Sequence, residues 1–429
     1  MNRIPVVDLS QVQDASSRND LLFQLRDALF NVGFLYIRNH GVSEQTVNNL
    51  VSKLPALFDL PDDVKQSLSK LNSPHFLGYS GLAEEITLGK NDLREQFDFA
   101  TELPAIWQDP SQDFPTAIGN DHRLDLSQPY WRLRGPNQWP PEHLLPGFRA
   151  AFEAYHDAVQ ELSYKFVHLV EEAFGITIRT FDDFFLSSSC SSSPHSRAPS
   201  AHHNGGANGS VSGGRRANMS PQHRIKLLKY PPSSGSSSSN TDNLKEESQG
   251  VGAHKDSSGW LTFLYQVPRR PAAETEEAAG KEEEEEACLQ VLSPTNKWLP
   301  APPIPGTFVV NFGKAMESAT QGAVRATVHR VRAPSATSPV RYSIPFFQGL
   351  PLDMTMSEIR AFIPESVREL RQRQEKLDRE GPSDKEMDSW TEVGGRDSLG
   401  RAQLRKWVKS HPDVGRKWYG DELVEVYSA

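Results

Sequence analysis

His254-Lys255-Asp256 sets two metal-ligating side chains at positions i and i+2. In an extended segment such positions share one face, so both side chains can reach a single ion. A second histidine, His329, follows 73 residues after Asp256 in Ala326-Thr327-Val328-His329-Arg330-Val331, a strand-like stretch. Two imidazoles and one carboxylate fill three adjacent corners of an octahedron and leave the others open. That arrangement suits Fe(II), which must take a co-substrate and O₂ at the same centre. A lone His-x-Asp pair arises often by chance. Here a strand signal, Gly259-Trp260-Leu261-Thr262-Phe263-Leu264, follows the pair, and a third element stands downstream.

That element is Arg341-Tyr342-Ser343, whose guanidinium lies twelve residues beyond His329. Strand alternation puts Arg341 and Ser343 on one side. An arginine fork pairs with a carboxylate through two parallel hydrogen bonds, and a neighbouring hydroxyl adds a third. A dicarboxylic keto acid could then chelate the metal at one end and be clamped at the other. An isolated Arg-x-Ser reads as a surface or salt-bridged pair. The order His-x-Asp, His, Arg-x-Ser favours the clamp.

These residues need a rigid frame. Strand signals recur at Arg224–Tyr230, Trp260–Gln266, Leu289–Leu292, Thr307–Phe312, Ala323–Arg332 and Tyr342–Gln348. With no helices between them they predict antiparallel pairing, as in a double-sheet jelly roll. Upstream, Val6–Leu9 and Phe34–Ile37 read as strands, with a helical pattern from Leu21 to Val32 that Gly33 stops. A second helix is expected from Ser43, as N-cap, to Phe58. From Phe148 to Phe174, apolar residues at alternating steps of four and three predict one long helix packed by one face, most simply on a sheet. The fold class is therefore α+β: a double-stranded β-helix (jelly roll) core with flanking helices and an N-terminal α/β segment.

The chain divides into an N-terminal segment (1–110), a connection (111–186) that carries the 148–174 helix, a low-complexity insert (187–220), the catalytic jelly-roll half (221–350) and a helical C-terminal extension (351–429), with Ser357 to Arg379 rich in Glu, Arg and Leu. Further inserts at 233–250 and 270–287 are Ser-rich or Glu-rich, the latter ending in Glu282–Glu286. Such compositions bury too little apolar surface to offset ordering entropy, so they read as flexible surface loops. His195, His202 and His203 in the first insert read as solvated.

Net charge is −9 with both signs interspersed, which argues against a nucleic-acid partner or an anionic membrane. No apolar run approaches the ~18 residues of a membrane span, and Met1-Asn2-Arg3-Ile4-Pro5 opens no apolar leader. Only two cysteines occur, Cys190 and Cys288, both in low-complexity stretches, so a reducing, cytoplasmic setting is expected. The oligomeric state is written in none of these motifs; a monomer accommodates them all.

The sequence resembles the isopenicillin N synthase-like branch of the 2-oxoglutarate/Fe(II) dioxygenases. The likeness spans about residues 3–350, inserts aside, through Ile4–Leu9, Gly33–Ile37 with Asn39-His40-Gly41, Phe58–Pro61, Lys229-Tyr230-Pro231-Pro232, His254–Leu264, Pro305–Asn311, Gln321-Gly322, Thr327–Val331 and Arg341–Gln348. It implies His254, Asp256 and His329 as iron ligands, Arg341 and Ser343 on the distal carboxylate of 2-oxoglutarate, and Tyr230 hydrogen-bonded to that co-substrate. His40 matches a structural turn of the family. Leu228 stands where the family often has Asn, which implies one co-substrate contact fewer. The implied reaction couples oxidative decarboxylation of 2-oxoglutarate, with O₂, to hydroxylation or desaturation of a small organic, secondary-type metabolite. Three rivals stand beside it: a same-fold oxidase that does without 2-oxoglutarate, a zinc hydrolase on the same ligands, and an inactive binding protein.

Overall fold

Phe148–Phe174 is a single helix, as its periodicity predicts, closed by Gly175 in the left-handed region at φ 73°. The computed structural model describes residues 3–87, 89–111, 124–185, 219–232, 249–257, 259–268, 288–369 and 398–428. The histidine tract at 195–203, Cys190 and nearly all of the three inserts lie outside these residues.

In chain order the strands are β1 Val6–Asp8, β2 Phe34–Arg38, β3 Gly78–Ser80, β4 Ile86–Thr87, β5 Lys90–Asn91, β6 Glu95–Ala100, β7 Arg224–Tyr230, β8 Gln249–His254, β9 Leu261–Gln266, β10 Leu289–Leu292, β11 Trp298–Pro300, β12 Thr307–Phe312, β13 His329–Arg332 and β14 Arg341–Gln348. The helices that matter below are α1 Arg18–Asp27, α2 Glu44–Val51, α3 Leu54–Phe58, α4 Phe148–Phe174, α5 Lys314–Ala319, α6 Met356–Ala361, α7 Leu399–Ser410, α8 Pro412–Tyr419 and α9 Asp421–Ser428.

Among the described residues the strands build an eight-stranded sheet, ordered β1-β2-β12-β9-β14-β7-β6-β3, and a four-stranded sheet, ordered β11-β10-β13-β8. All pairings are antiparallel except β1 with β2. The jelly-roll expectation therefore holds. Strand alternation sorts the large sheet into two faces. Phe99, Leu227, Phe263, Phe346 and Phe308 point outward into the main core, where α4 covers them. Phe166 of α4 meets Phe263 edge-on at 5.6 Å, and Phe152 meets Phe99 at 4.9 Å. The opposite face, with Asp98, Lys226, Tyr230, Leu264, Asn311 and Arg341, looks into the space between the sheets.

Several boundaries differ from the sequence reading, each for a local reason. The 21–32 pattern is α1, starting three residues earlier, plus a π-type turn Ala28–Val32 ended by Gly33 at φ 74°. Ser43 caps α2 by accepting from the Thr46 N–H at 3.0 Å, but the helix breaks after Val51 and α3 restarts with Pro55 in its first turn. Only His329–Arg332 of 323–332 is strand; Thr320 to Val328 turn back after α5. Gln249 and Gly250, assigned to an insert, open β8. Cys288, likewise placed in a low-complexity run, is buried beside β10. The helical run read from Ser357 is broken after Ala361 and resumes at Glu365, directly after Pro364; residues 370–379 lie outside those described.

Candidate metal centre and its cavity

His254 ends β8 and His329 opens β13, and the two residues face each other directly in the antiparallel register. Their rings lie 4.3 Å apart between centroids. Asp256, two residues past His254, completes the group: one ligand atom from each side chain lies within 4.8 Å of the others. One strand pair thus closes the long sequence gap between the two halves of the motif.

Each side chain is oriented by a hydrogen bond on the side away from the centre. His254 Nδ1 donates to the Gly252 carbonyl at 2.7 Å, and His329 Nδ1 donates to the Thr327 carbonyl at 3.1 Å. Both Nε2 atoms are left facing Asp256 Oδ1, at 3.7 and 3.6 Å. Asp256 Oδ2 accepts from Thr262 Oγ1 at 2.6 Å and from Asn311 Nδ2 at 2.7 Å, which holds Oδ1 toward the imidazoles. Such outer partners fix the tautomer and direction of metal ligands. Burial, then the neighbouring His329, lowers His254 to about 3, so its imidazole is neutral and able to ligate. Burial pushes the Asp256 carboxyl up, but the two imidazoles and its two hydrogen bonds outweigh that and leave it below its ordinary range.

The supports reach further out. Asp92, fully buried, accepts from the Gly252 N–H at 3.1 Å, and Gly252 in turn accepts from His254. Thr327 donates its hydroxyl to the Val32 carbonyl at 2.7 Å, packed against Gly33. A Cβ at Gly33 would fall 2.2 Å from that hydroxyl, so glycine is required there both for space and for its positive φ. Phe34 then meets His329 edge-on at 5.1 Å.

Arg341 and Tyr230 sit opposite each other on β14 and β7, and Ser343 sits opposite Gln266 on β9. Arg341 is buried, its guanidinium 5.5 Å from the Tyr230 ring. Its Nη2 donates to Gln266 Oε1, while its buried Nη1 has no partner. A buried guanidinium with an unused donor is costly unless an anion completes it. The chelating trio and the Arg341 fork both line one cavity of about 410 Å³, within the range of small-molecule sites. The three ligand-type residues and the three co-substrate candidates named from sequence therefore share one space. His40 lies elsewhere: its Nδ1 accepts from the Val42 N–H at 3.2 Å within its turn.

Sequence reading missed the other end of this cavity. Lys70, Glu85, Arg94, Asp98 and Lys226 meet there, with Lys70 at 2.9 Å from Glu85 and 2.8 Å from Asp98. Helix α7 closes it with Gln403, Lys406, Trp407 and Ser410. The helical spacing of those four was the available signal. It also missed Thr262, Gln266 and Asn311, single polar residues in otherwise apolar strands, where a buried polar group must have a partner.

The chain matches two family models: the N-terminal model of non-haem dioxygenases in morphine synthesis over residues 4–142, and the 2OG-Fe(II) oxygenase superfamily over residues 221–349. A 2-oxoglutarate-dependent dioxygenase of Dothideomycetidae sp. is 34% identical over 99% of this chain and 93% of its own length. One from Gibberella zeae is 26% identical over 97% and 91%. A full-length Neurospora crassa protein, solved in complex with α-ketoglutarate, shares the fold at TM-score 0.55 and 20% identity, over 82% of this chain and 87% of that one. Among the described residues no helix is long and apolar enough to cross a membrane. With a relative of this identity along essentially its whole length, the chain belongs to the 2OG-Fe(II) oxygenase superfamily and is a 2-oxoglutarate- and Fe(II)-dependent dioxygenase.

Proposed function

We propose that His254, Asp256 and His329 hold the iron, and that Arg341, Ser343 and Tyr230 hold 2-oxoglutarate, in the oxidation of a small organic metabolite within the cavity. The observation that carries this reading is convergence: two Nε2 atoms and one carboxylate oxygen meet, and Arg341, whose buried Nη1 has no partner, lines the same cavity. Three protein ligands leave the remaining positions for the keto acid and O₂. The donor set fits Fe(II) chemically, two neutral imidazoles and one carboxylate.

When bound, iron supplies the activation of O₂ that drives oxidative decarboxylation of the keto acid and oxidation of a substrate C–H bond. The chain's part is to position and to exclude. Arg341 and Ser343 receive the distal carboxylate, while Gln266 keeps the guanidinium aimed. Tyr230 stacks beside that guanidinium, and Leu228, opposite Ser343, supplies an apolar wall where a polar contact is absent. Thr262 and Asn311 hold Asp256, and Gly252 and Thr327 hold the imidazoles. A substrate of secondary-metabolite size, hydroxylated or desaturated, fits a cavity of about 410 Å³. Relatives named homoarginine-6-hydroxylase, 26% identical in Glycine max over 83% of this chain, support a small-molecule substrate. A scarcity of cysteine supports work in a reducing compartment such as the cytoplasm.

The test is substrate-independent turnover: iron-loaded enzyme is given 2-oxoglutarate and O₂, and succinate and CO₂ are counted. Wild type is expected to release both slowly, and Arg341→Ala to release neither at ordinary co-substrate levels. CO₂ release untouched by Arg341→Ala would remove the co-substrate assignment. Oxidation without succinate would favour the same-fold oxidase instead.

A further inference from the structure

Helix α7 presents two stripes. Leu399, Leu404 and Val408 are buried, against the turn Pro129–Leu133 and the neighbouring helices. Gln403, Lys406, Trp407 and Ser410 recur at i, i+3, i+4 and i+7 and line the cavity instead. Trp407 lies flat against the Arg224 guanidinium at 3.6 Å, and Arg224 gives its donors to the carbonyls of His75 at 2.6 Å, Leu133 at 3.2 Å and Phe76 at 3.3 Å. Arg224 is therefore occupied. Lys70 and Arg94 are likewise engaged with Glu85, Asp98 and Asp92.

Two further cations on this wall differ: Lys226 shares its carboxylates with Lys70, and Lys406 has no carboxylate in ion-pair reach among the described residues. Lys226 stands 3.5 Å from Asp98 and 3.6 Å from Glu85, carboxylates that Lys70 already holds more closely. Lys406 donates to the Ser257 hydroxyl, beside Asp256, and forms no ion pair among the described residues. As a residue Lys406 is exposed, and it lines the cavity. Asp256 is the first charge felt by the Lys406 ammonium and attracts it, and Lys226, lining the same cavity, opposes that attraction. Like charges facing one cavity are relieved by an anion between them. Neither belongs to the Arg341 end, where the keto acid's distal carboxylate is assigned.

We propose that the wall formed by α7 and β7 receives an anionic group of the substrate, a carboxylate or a phosphate, between Lys406 and Lys226. This rests on the placement of iron and 2-oxoglutarate given above. Lys406 reaches Ser257, the neighbour of Asp256, so a substrate held there shares the cavity with His254-Asp256-His329. It also gives the C-terminal helix a role in substrate choice: one of the two residues that hold the anion comes from the far end of the chain.

The experiment uses the full chain loaded anaerobically with Fe(II) and 2-oxoglutarate, followed by its visible charge-transfer band and by tryptophan fluorescence, Trp407 being the reporter beside the anchor. Matched probes are titrated: butyrate against butyramide, and methyl phosphate against trimethyl phosphate. At least one anion is expected to bind about tenfold more tightly than its neutral partner, a charge-assisted hydrogen bond's worth. The responding pair names the group. Lys406→Gln is expected to erase that preference and Lys406→Arg to restore most of it, with Lys226→Gln weakening it independently. The affinity for 2-oxoglutarate should stay within about threefold in all of them, since the clamp is elsewhere. Equal responses within each pair, no response at millimolar anion, a preference that survives Lys406→Gln, or anions that act by displacing 2-oxoglutarate all overturn the proposal. A wild-type enzyme that forms no band overturns the iron assignment and this anchor with it; a band indifferent to anions overturns the anchor alone.

Discussion

The two ends of the cavity are built in different ways. The Arg341 end comes from three strands that are neighbours in one sheet: β14 supplies Arg341 and Ser343, β7 Tyr230, β9 Gln266. Register alone puts these side chains together. The Lys406 end draws Lys70, Glu85 and Asp98 from the first hundred residues, Lys226 from β7, and Lys406, Trp407 and His411 from the C-terminal helices. His411 bridges the extremes, its Nε2 3.0 Å from Glu85 Oε1. An end fixed by strand register suits a ligand that does not change, such as a shared co-substrate. An end assembled from loops and a terminal helix can vary without disturbing it.

Breaking the shared centre should have the largest effect. Asp256→Ala leaves two imidazoles with no carboxylate, and Fe(II) binding and succinate release should both fall to background, measured by metal titration and turnover. Next comes the clamp. Arg341→Ala removes one partner of a buried charge contact, which costs about 2–5 kcal/mol and should weaken 2-oxoglutarate binding by roughly thirtyfold or more. Arg341→Lys should recover little of it, because an ammonium lacks the fork.

Smaller effects sharpen the comparison. Asn311→Leu leaves Asp256 with only Thr262 to aim it, and iron affinity should drop by about 10- to 100-fold without loss of folding. His223, behind the polar end, accepts from the Gly349 N–H at 3.0 Å and lies 2.7 Å from Tyr164 Oη. Burial, with a little help from His156, lowers it to about 3. Its folded pKa lies below its unfolded one, so the unfolded chain gains the proton first. Stability from this group is complete above about pH 6.5 and is lost toward pH 3, at roughly 1.4 kcal/mol per pH unit. Urea unfolding of metal-free enzyme across that window should show the slope, and His223→Leu should flatten it. Least affected should be 2-oxoglutarate binding in Lys406→Gln, since the Arg341 clamp is built on other elements.

Legibility in the sequence follows the same division. Ligand types at i and i+2, an arginine and serine at i and i+2, and the apolar stripe of Phe148–Phe174 are local patterns, and local patterns set strand faces and helix faces. Strand β8 is hidden because Gly250 and Gly252 give it no apolar alternation. Gly252 leaves room for the Thr87 side chain, 2.7 Å from where a Cβ would lie. Strand β6 is hidden because Gln96 and Asp98 face inward between the sheets, so the strand reads as a polar loop. The contact of Glu85 with His411, 326 residues apart, has no local signature at all. The candidate centre is readable because it hangs on strand pairs; the charged wall around Lys406 is not, because only tertiary packing brings it together.

The central claim is that one iron centre and one carboxylate clamp share this cavity, and anaerobic formation of the Fe(II)–2-oxoglutarate charge-transfer band tests it most directly. Wild type should form the band with one equivalent of each. Asp256→Ala should fail at the metal step, and Arg341→Ala should bind iron normally yet need far more 2-oxoglutarate. A wild-type band that both variants reproduce at wild-type concentrations contradicts the account.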